Sequence, residues 1–111
     1  MRTANYILIG QTPVPEPDLV KWAEWFGAAG GDRIVAQTHI GATLISTVFL
    51  GIDHGFGKSP PLLFETMTFC DGEDMDCWRC STWAEAEAQH WRIVAEWRAR
   101  NLSPRTRRER P

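Results

Sequence analysis

RIVAQTHIGATLISTVFLGI, residues 33–52, is a run rich in isoleucine, valine, threonine and other apolar residues. Such residues favour β-strands, and a glycine within the run favours a turn. The segment therefore predicts two strands joined by a turn near Gly41. The second strand is largely apolar on both faces, which predicts a central position in the sheet.

Further strands are predicted on both sides of this pair. NYILIG (5–10) is a short strand candidate, and PLLFETMTFC (61–70) is the strand that follows the pair. DGEDMD (71–76) is predicted to be an acidic turn, and CWRCS (77–81) a short return strand. We therefore expect an antiparallel sheet of about four to five strands.

The first predicted helix follows a proline-rich break, QTPVPEPD (11–18). The prolines suit the lead-in and first turn, and Asp18 suits the positive N-terminus of the helix. Gly27 and the pair Gly30-Gly31 are expected to end the helix. Helical spacing in DLVKWAEWFGAAGG places four apolar residues on one face: Leu19, Trp22, Ala23 and Phe26.

The second predicted helix, STWAEAEAQHWRIVAEWRAR (81–100), is the clearest element. Thr82 and Glu85 fit a capping box, with Ser81 as an alternative cap. One apolar face is formed by six residues: Trp83, Ala86, His90, Ile93, Val94 and Trp97. Strands packed with two amphipathic helices predict an α+β two-layer sandwich, β-α-β-β-β-β-α, as a single domain over residues 1–102.

Composition limits the class of protein. The 111 residues are 43% hydrophobic, which is enough for one folded domain with a modest core. No apolar run approaches the ~20 residues that span a bilayer, and the N-terminus lacks the apolar stretch of a signal peptide. Three irregularly spaced cysteines argue against a disulfide framework. We therefore expect a cytoplasmic protein without membrane contact.

The formal net charge of −2 conceals an asymmetry. Residues 1–97 hold six basic and thirteen acidic side chains, a balance of −7, whereas residues 98–111 hold six arginines and one glutamate, a balance of +5. Residues 103–111 are poor in apolar side chains, so we expect a disordered basic tail. This tail either contacts nucleic acid or an acidic surface, or only adds solubility. The domain itself is not expected to bind nucleic acid.

GIDHGFGKSPP (51–61) has the glycines, lysine and serine of a phosphate-binding loop. A Walker-type loop needs four residues between its glycines and a helix after its serine or threonine. Here five residues separate Gly51 from Gly57, and two prolines lead into a strand, so the nucleotide site is rejected. The polar residues of the loop suit a recognition loop or a plain connector, with a catalytic site as the alternative: Asp53, His54 and Lys58.

Cys77-x-x-Cys80 has the spacing of a zinc-ligand pair. Cys70, Asp76 or a histidine would have to complete the site, and cysteines three apart on a strand point to opposite faces. We therefore expect reduced, partly buried cysteines, and neither a metal nor a cofactor. His90 is expected to be a hydrogen-bonded core histidine, with a ligand or catalytic role as the alternative.

Trp25 and Trp91 fall about 110° from the predicted core faces. An exposed tryptophan is a typical interface anchor, although an indole half-buried at the sheet edge is an equal alternative. Acidic residues suit either a solvated face or a surface that docks on a basic protein in competition with nucleic acid: Glu24, Asp71, Glu73, Asp74, Asp76, Glu85 and Glu87. The predicted partner-binding residues are Trp25, Asp53, His54, Lys58, Asp71, Glu73, Asp74, Asp76 and Trp91.

STVFLGIDHGFGKSPPLLFETMTF (46–69) and STWAEAEAQH (81–90) resemble the motifs of a widespread family of small, uncharacterised bacteriophage and prophage proteins. The family motifs read STVFLG-DH-FG--PP-LFETM-F and YSTW-EAE-GH. The lead-in NYILIGQTPVPEPDLVKWAEWF is similar too, so the resemblance covers residues 5–91. Gln89 and Cys80 stand where the family has glycine and tyrosine, and cysteine ligands do not carry over. The resemblance implies a small accessory protein of a phage in a bacterial cytoplasm.

These features predict a non-enzymatic protein-binding module that inhibits a bacterial defence complex through an acidic, tryptophan-containing surface. Its partner is then a host protein, such as a nucleic-acid-binding CRISPR surveillance complex. The alternative is a small enzyme or small-ligand binder that uses the 53–59 loop together with Glu65. A third hypothesis is association with DNA or RNA through the basic tail.

Overall fold

The computed structural model describes residues 3–102, with side chains described as far as Arg100. The strands are β1 (Tyr6–Ile9), β2 (Thr12–Pro15), β3 (Ile34–Ile40), β4 (Thr43–Phe49), β5 (Phe64–Cys70) and β6 (Glu73–Cys80). The helices are α1 (Leu19–Ala29) and α2 (Trp83–Leu102), and one 3₁₀ turn, Gly30–Arg33, precedes β3. The predicted α+β fold is confirmed. The predicted basic tail, residues 103–111, lies outside the described residues.

Four strands form one antiparallel sheet in the order β3-β4-β5-β6. β4 is central, as predicted, and its residues alternate between buried and half-buried. Gly41 begins the β3–β4 turn with a φ of 59°, the positive value that a two-residue hairpin turn needs there. Asp71 and Gly72 form the β5–β6 turn, and both have positive φ, 53° and 85°, as a type I′ turn requires.

β6 is longer than the sequence predicts. An acidic turn was expected over 71–76 and a short strand over 77–81, but the turn contains only Asp71 and Gly72. An Asp-Gly pair closes a hairpin in two residues, so the acidic residues that follow continue the strand from Glu73. They are tolerated there because β6 is an edge strand with solvent on one side.

β1 and β2 form a separate two-stranded hairpin. The sequence predicts β1 in the main sheet and a break over 11–18, but the residues on either side of the Gly10 turn pair with each other. β2 contains Pro13 and Pro15, which is possible because a two-stranded ribbon leaves one side of each strand without ladder bonds. The main sheet therefore has four strands, the lower end of the predicted range.

The core lies between the sheet and α2 and contains two apolar clusters. The first cluster consists of Leu8, Phe49, Leu63, Phe64 and Ala86. The second cluster consists of Ile45, Ile93 and Val94, with Ile40, Trp78 and Trp97 packed against it. The predicted inner face of α2 is therefore confirmed. No helix within residues 3–102 is long and apolar enough to cross a membrane.

α1 presents a different face to the sheet from the predicted one. Leu19 is 64% exposed, whereas Trp25, expected outside the core, is half-buried. The Trp25 ring packs edge-on against Phe49 with the ring centroids 5.8 Å apart. The half-buried and buried residues of α1 are Trp22, Trp25, Phe26 and Ala29. Their i, i+3, i+4, i+7 spacing equals that of the predicted face, so spacing alone does not select between the two.

Candidate functional site

The main concentration of unpaired charge lies on the β5–β6 hairpin. We call four side chains the acidic edge: Asp71, Glu73, Asp74 and Asp76. All four are exposed, and none takes part in an ion pair within the part of the chain that the structure describes. One lies in the turn and three lie in the first half of β6, so the four are neighbours along the hairpin. The register places Glu73 and Asp76 on the face of the sheet that carries Thr68, and Asp74 on the opposite face.

The strand that carries the acidic edge is also irregular. Its pairing with β5 shifts between Thr68 and Phe69, which leaves Met75 as an extra residue in β6. Such a bulge and a row of charges both protect a free sheet edge from pairing with other strands. Edge protection is therefore one explanation of the acidic residues, and docking on a basic partner is the functional alternative.

Asp53 organises the loop between β4 and β5. Its Oδ1 accepts the N–H of Gly55 at 2.6 Å and the N–H of Leu62 at 2.9 Å. The N–H of Lys58 donates to the carbonyl of Gly55 at 3.1 Å, and Nδ1 of His54 lies 2.8 Å from a backbone carbonyl oxygen. The Asp53 carboxylate thus holds the shape of the loop. Lys58 is exposed and His54 is partly exposed beside it.

The tip of this loop displays Phe56, which the sequence reasoning did not identify. Its side chain is 91% exposed, and its φ of 54° is uncommon for an aromatic residue. The signal in the sequence is an aromatic residue between Gly55 and Gly57 in a connecting loop. An exposed aromatic side chain on a strained backbone is a candidate contact point for a partner.

The two tryptophans predicted at the surface differ. Trp25 packs against the first apolar cluster, so it does not form an exposed anchor. Trp91 is 52% exposed, and its ring stands edge-on to the His90 imidazole at 4.7 Å. Gln89 donates to Thr66 on β5. Because residues 89 and 91 lie about 200° apart around a helix, Trp91 is on the flank of α2 that faces β3, away from the acidic edge.

The predicted partner-binding residues therefore do not form one surface. The acidic edge lies where β5 passes into β6, and the 53–59 loop lies at the other end of β5. β5 has seven residues, and a strand rises about 3.3 Å per residue, so about 20 Å separates the two regions. Trp91 lies on a third side of the molecule. The acidic edge is the region in which several predicted residues meet.

A chain of buried hydrogen bonds separates the two apolar clusters. Oγ1 of Thr47 lies 2.6 Å from Oγ1 of Thr66 and 2.8 Å from Nδ1 of His90. Nε2 of His90 lies 2.8 Å from Oγ1 of Thr38, and the Gln89 amide donates to Thr66 at 2.9 Å. His90 is fully buried, and burial lowers the pKa of its imidazole. His90 is thus the hydrogen-bonded core histidine that the sequence predicts.

Cys77 and Cys80 lie on opposite faces of β6, as their spacing on a strand predicts. Sγ of Cys77 donates to Glu65 at 3.1 Å, while Cys80 packs against the first apolar cluster. Burial, followed by the hydrogen bond to Glu65, raises the pKa of Cys77. Burial and the nearby Glu85 raise the pKa of Cys80 to about 11. Among the described residues, no group of three His, Cys, Asp or Glu is placed to hold a metal.

An open cleft of about 520 Å³ lies between β6 and α2. Its two arginines have carboxylate partners: Arg79 donates to Glu65 at 3.0 Å, and Arg92 pairs with Glu96 at 3.4 Å. Its thiol, Cys80, stays protonated at neutral pH because its pKa is raised to about 11 by burial. The cleft therefore offers polar contacts without an activated nucleophile.

Comparison with known proteins identifies no relative of this chain. No family model matches the chain, no curated protein matches it, and no solved structure matches it. An interpretation of function therefore rests on the geometry of the described residues.

Proposed function

We propose that this protein is a non-enzymatic binding module that docks on a basic surface of a host protein through its acidic edge. The observation that carries the proposal is the set of four exposed carboxylates without ion-pair partners in the described chain. Within the context implied by the phage-like motifs, the module is an accessory protein of a phage in the bacterial cytoplasm. Its target is then a nucleic-acid-binding defence complex.

Charge supports this choice of partner. Four carboxylates within one hairpin create a local negative potential, which accelerates encounter with a positively charged surface. A protein that binds nucleic acid presents lysine and arginine to phosphate groups, and carboxylates compete for the same side chains. Occupation of that surface would block the nucleic acid without any chemical step. The proposal therefore requires no catalytic group and no cofactor.

The predicted contact residues outside the acidic edge contribute less to the proposed binding or do not contribute. Trp25 is not one of the proposed partner contacts, because its ring packs against Phe49. His54 and Lys58 remain on the loop at the other end of β5, where exposed Phe56 joins them. Contacts there are secondary, because about 20 Å separates them from the acidic edge.

The alternative of a small enzyme at the 53–59 loop is less favoured by the geometry. The carboxylate of Asp53 accepts two backbone N–H groups, and Glu65 holds Arg79 and Cys77. These contacts use the carboxylates for structure, whereas acid–base catalysis needs a group poised to exchange a proton with a substrate. Nucleic-acid binding through the tail concerns residues 103–111, which the structure does not describe.

Charge reversal of the acidic edge tests the proposal. The variant combines Glu73→Lys, Asp74→Lys and Asp76→Lys with Asp71→Asn, because asparagine tolerates the positive φ of that turn position. The measurement is capture of a defence complex from bacterial lysate, followed by an affinity titration at low and high salt. We expect a loss of roughly a hundredfold at low salt, since opposed like charges cost several kcal/mol.

A control variant reverses two exposed carboxylates elsewhere, Glu24→Lys on α1 and Glu87→Lys on α2. It should keep most of the affinity, and thermal unfolding should show that both variants are folded. Unchanged affinity of the acidic-edge variant would refute docking through that edge. An equal loss in both variants would mean that net charge matters and the location of the charges does not.

A further inference from the structure

The two edges of the main sheet differ in chemistry. β6 carries the acidic edge and a bulge, and both discourage pairing with another strand. β3, at the opposite edge, contains no Asp, Glu, Lys, Arg or Pro among its seven residues. Its pairing with β4 is irregular at Val35, and the stretch 36–40 that follows is regular. This stretch is therefore an uncharged free edge of the kind that pairs with other strands.

The backbone of β3 has hydrogen-bonding groups directed outward at this edge. Ile40 and Thr43 flank the two-residue turn, so the backbone N–H and C=O groups of Ile40 bond to β4. In an antiparallel pair, alternate residues of a strand direct these groups toward the partner strand and away from it. Gln37 and His39 therefore point their N–H and C=O groups away from β4. Among the described strands, β4 is the one that pairs with β3. The side chains of Gln37 and His39 are exposed as well.

We propose that this edge pairs with β3 of a second copy of the chain, antiparallel across a two-fold axis near Thr38. Thr38 is the centre of the regular stretch, so Gln37 pairs with His39 of the partner subunit, and the reverse. The outward N–H and C=O groups of both copies are then satisfied by the same contact. The two four-stranded sheets become one continuous sheet of eight strands.

Trp91 supports the position of the axis independently. Thr38 Oγ1 lies 2.8 Å from Nε2 of His90, and the Trp91 ring stands on the His90 ring at 4.7 Å. The half-exposed indole is therefore beside the centre of the free edge, on the flank of α2 that overlooks it. In the dimer this indole packs against α2 of the second copy, which accounts for an exposed tryptophan at that place.

The charge distribution favours a second copy over a basic host protein at this edge. β3 has no carboxylate with which to attract a basic surface. The acidic edge lies three strand spacings away, about 14 Å, which exceeds the Debye length of ~8 Å at physiological salt. Repulsion between the two acidic edges is therefore screened at the β3 contact. Dimerisation leaves both acidic edges free at the outer ends of the sheet, so this inference does not rest on the proposed function.

Sedimentation velocity of the full chain between about 1 and 100 μM tests the dimer. We expect the mass to rise from 12.6 kDa to twice that value with concentration. The variant Gln37→Lys/His39→Lys places charges on the free edge and should remain at 12.6 kDa throughout. The matched control, Met75→Lys/Cys77→Lys, adds the same charge to β6 at exposed positions and should still dimerise.

Amide hydrogen exchange of the unmodified protein gives a second readout. The N–H groups of Gln37 and His39 should exchange more slowly at high concentration, while those of Glu73 to Asp76 should not change. A wild-type chain that stays monomeric at every concentration overturns the proposal. So does a dimer that survives in the Gln37→Lys/His39→Lys variant, or one that is lost equally in the β6 control.

Discussion

His90 shows at the scale of one residue how the core uses a polar side chain. The Gln89 amide donates to Thr66, the hydroxyl of Thr66 bonds with that of Thr47, and the two ring nitrogens of His90 bond with the hydroxyls of Thr47 and Thr38. A neutral imidazole has one donor and one acceptor, and a hydroxyl group can take either role, so both ring nitrogens are satisfied. Each side-chain polar group of this layer then has a partner, so the layer does not carry the cost of an unsatisfied donor or acceptor.

Acidification should therefore destabilise the protein through His90. Burial lowers the pKa of His90 in the folded state, so the unfolded chain takes up the proton first as the pH falls. The free energy of unfolding should decrease below about pH 6.5, the pKa of an unperturbed histidine. Urea unfolding at pH 7.5, 6.5 and 5.5 measures this free energy. His90→Gln should have a shallower dependence between these values, and an equal slope in both proteins would contradict the assignment.

At the scale of an element, α2 is defined by its own sequence. Glu85 Oε1 accepts the N–H groups of Ser81 and Thr82 at 3.0 and 3.2 Å, and Thr82 Oγ1 accepts the N–H of Glu85 at 3.1 Å. This is the predicted capping box, with Thr82 as the cap. The box satisfies N–H groups that the first helical turn leaves without partners.

Removal of the cap gives a matched pair of variants. Thr82→Ala loses the hydroxyl that accepts the Glu85 N–H and should lower the free energy of unfolding by about 1 kcal/mol. Ser81→Ala keeps the backbone N–H that Glu85 accepts, so it should change stability by less than about 0.5 kcal/mol. Thermal unfolding followed by circular dichroism compares the two. A larger effect of Ser81→Ala would assign the cap to Ser81 instead.

At the scale of the whole molecule, α1 is fixed by contacts with distant segments. Nε1–H of Trp22 donates to the carbonyl oxygens of Tyr6 and Gly51, at 3.1 and 3.0 Å. The Arg33 guanidinium stacks over the Phe26 ring at 4.1 Å and also donates to a carbonyl of β4 at 3.0 Å. These contacts join the β1–β2 hairpin, α1 and the end of β4. Trp22 and Phe26 belong to both candidate faces of α1, and the ring contact of Trp25 with Phe49 settles which face is buried.

Gly51 is the point of closest approach in this junction. Its φ is 80°, and an added Cβ would lie 2.9 Å from the Phe26 ring and 3.6 Å from Trp22. Gly51→Ala should therefore lower the free energy of unfolding by about 2–3 kcal/mol through backbone strain and overpacking. Gly27→Ala, in α1 with open space around it, should be neutral or stabilising by up to about 1 kcal/mol. Denaturant unfolding compares the two variants. An equal change in the free energy of unfolding would refute the close contact at Gly51.

Elements with a local sequence signal can be predicted without the tertiary structure. The β-branched run around Gly41 predicted β3, β4 and the turn between them, and the periodicity and cap of residues 81–100 predicted α2 and its inner face. Local rules suffice there because hydrophobic period, capping and turn chemistry all indicate the same structure. The acidic residues of 71–76 were likewise recognised as a group, and they are exposed together.

Contacts between distant segments fix the buried face of α1, the place of β1 and the side of the molecule on which Trp91 lies. Two stripes of α1 have equal helical spacing and share Trp22 and Phe26, and the contact with Phe49 selects the stripe that includes Trp25. β1 pairs with β2 outside the main sheet, and the N–H of Tyr6 joins this hairpin to the distant carbonyl of Gly51. The side of the molecule on which Trp91 lies depends on how α2 packs on the sheet, where His90 bonds with Thr38 and Gln89 with Thr66. These contacts join segments that are far apart in the chain, so local sequence patterns do not reveal them.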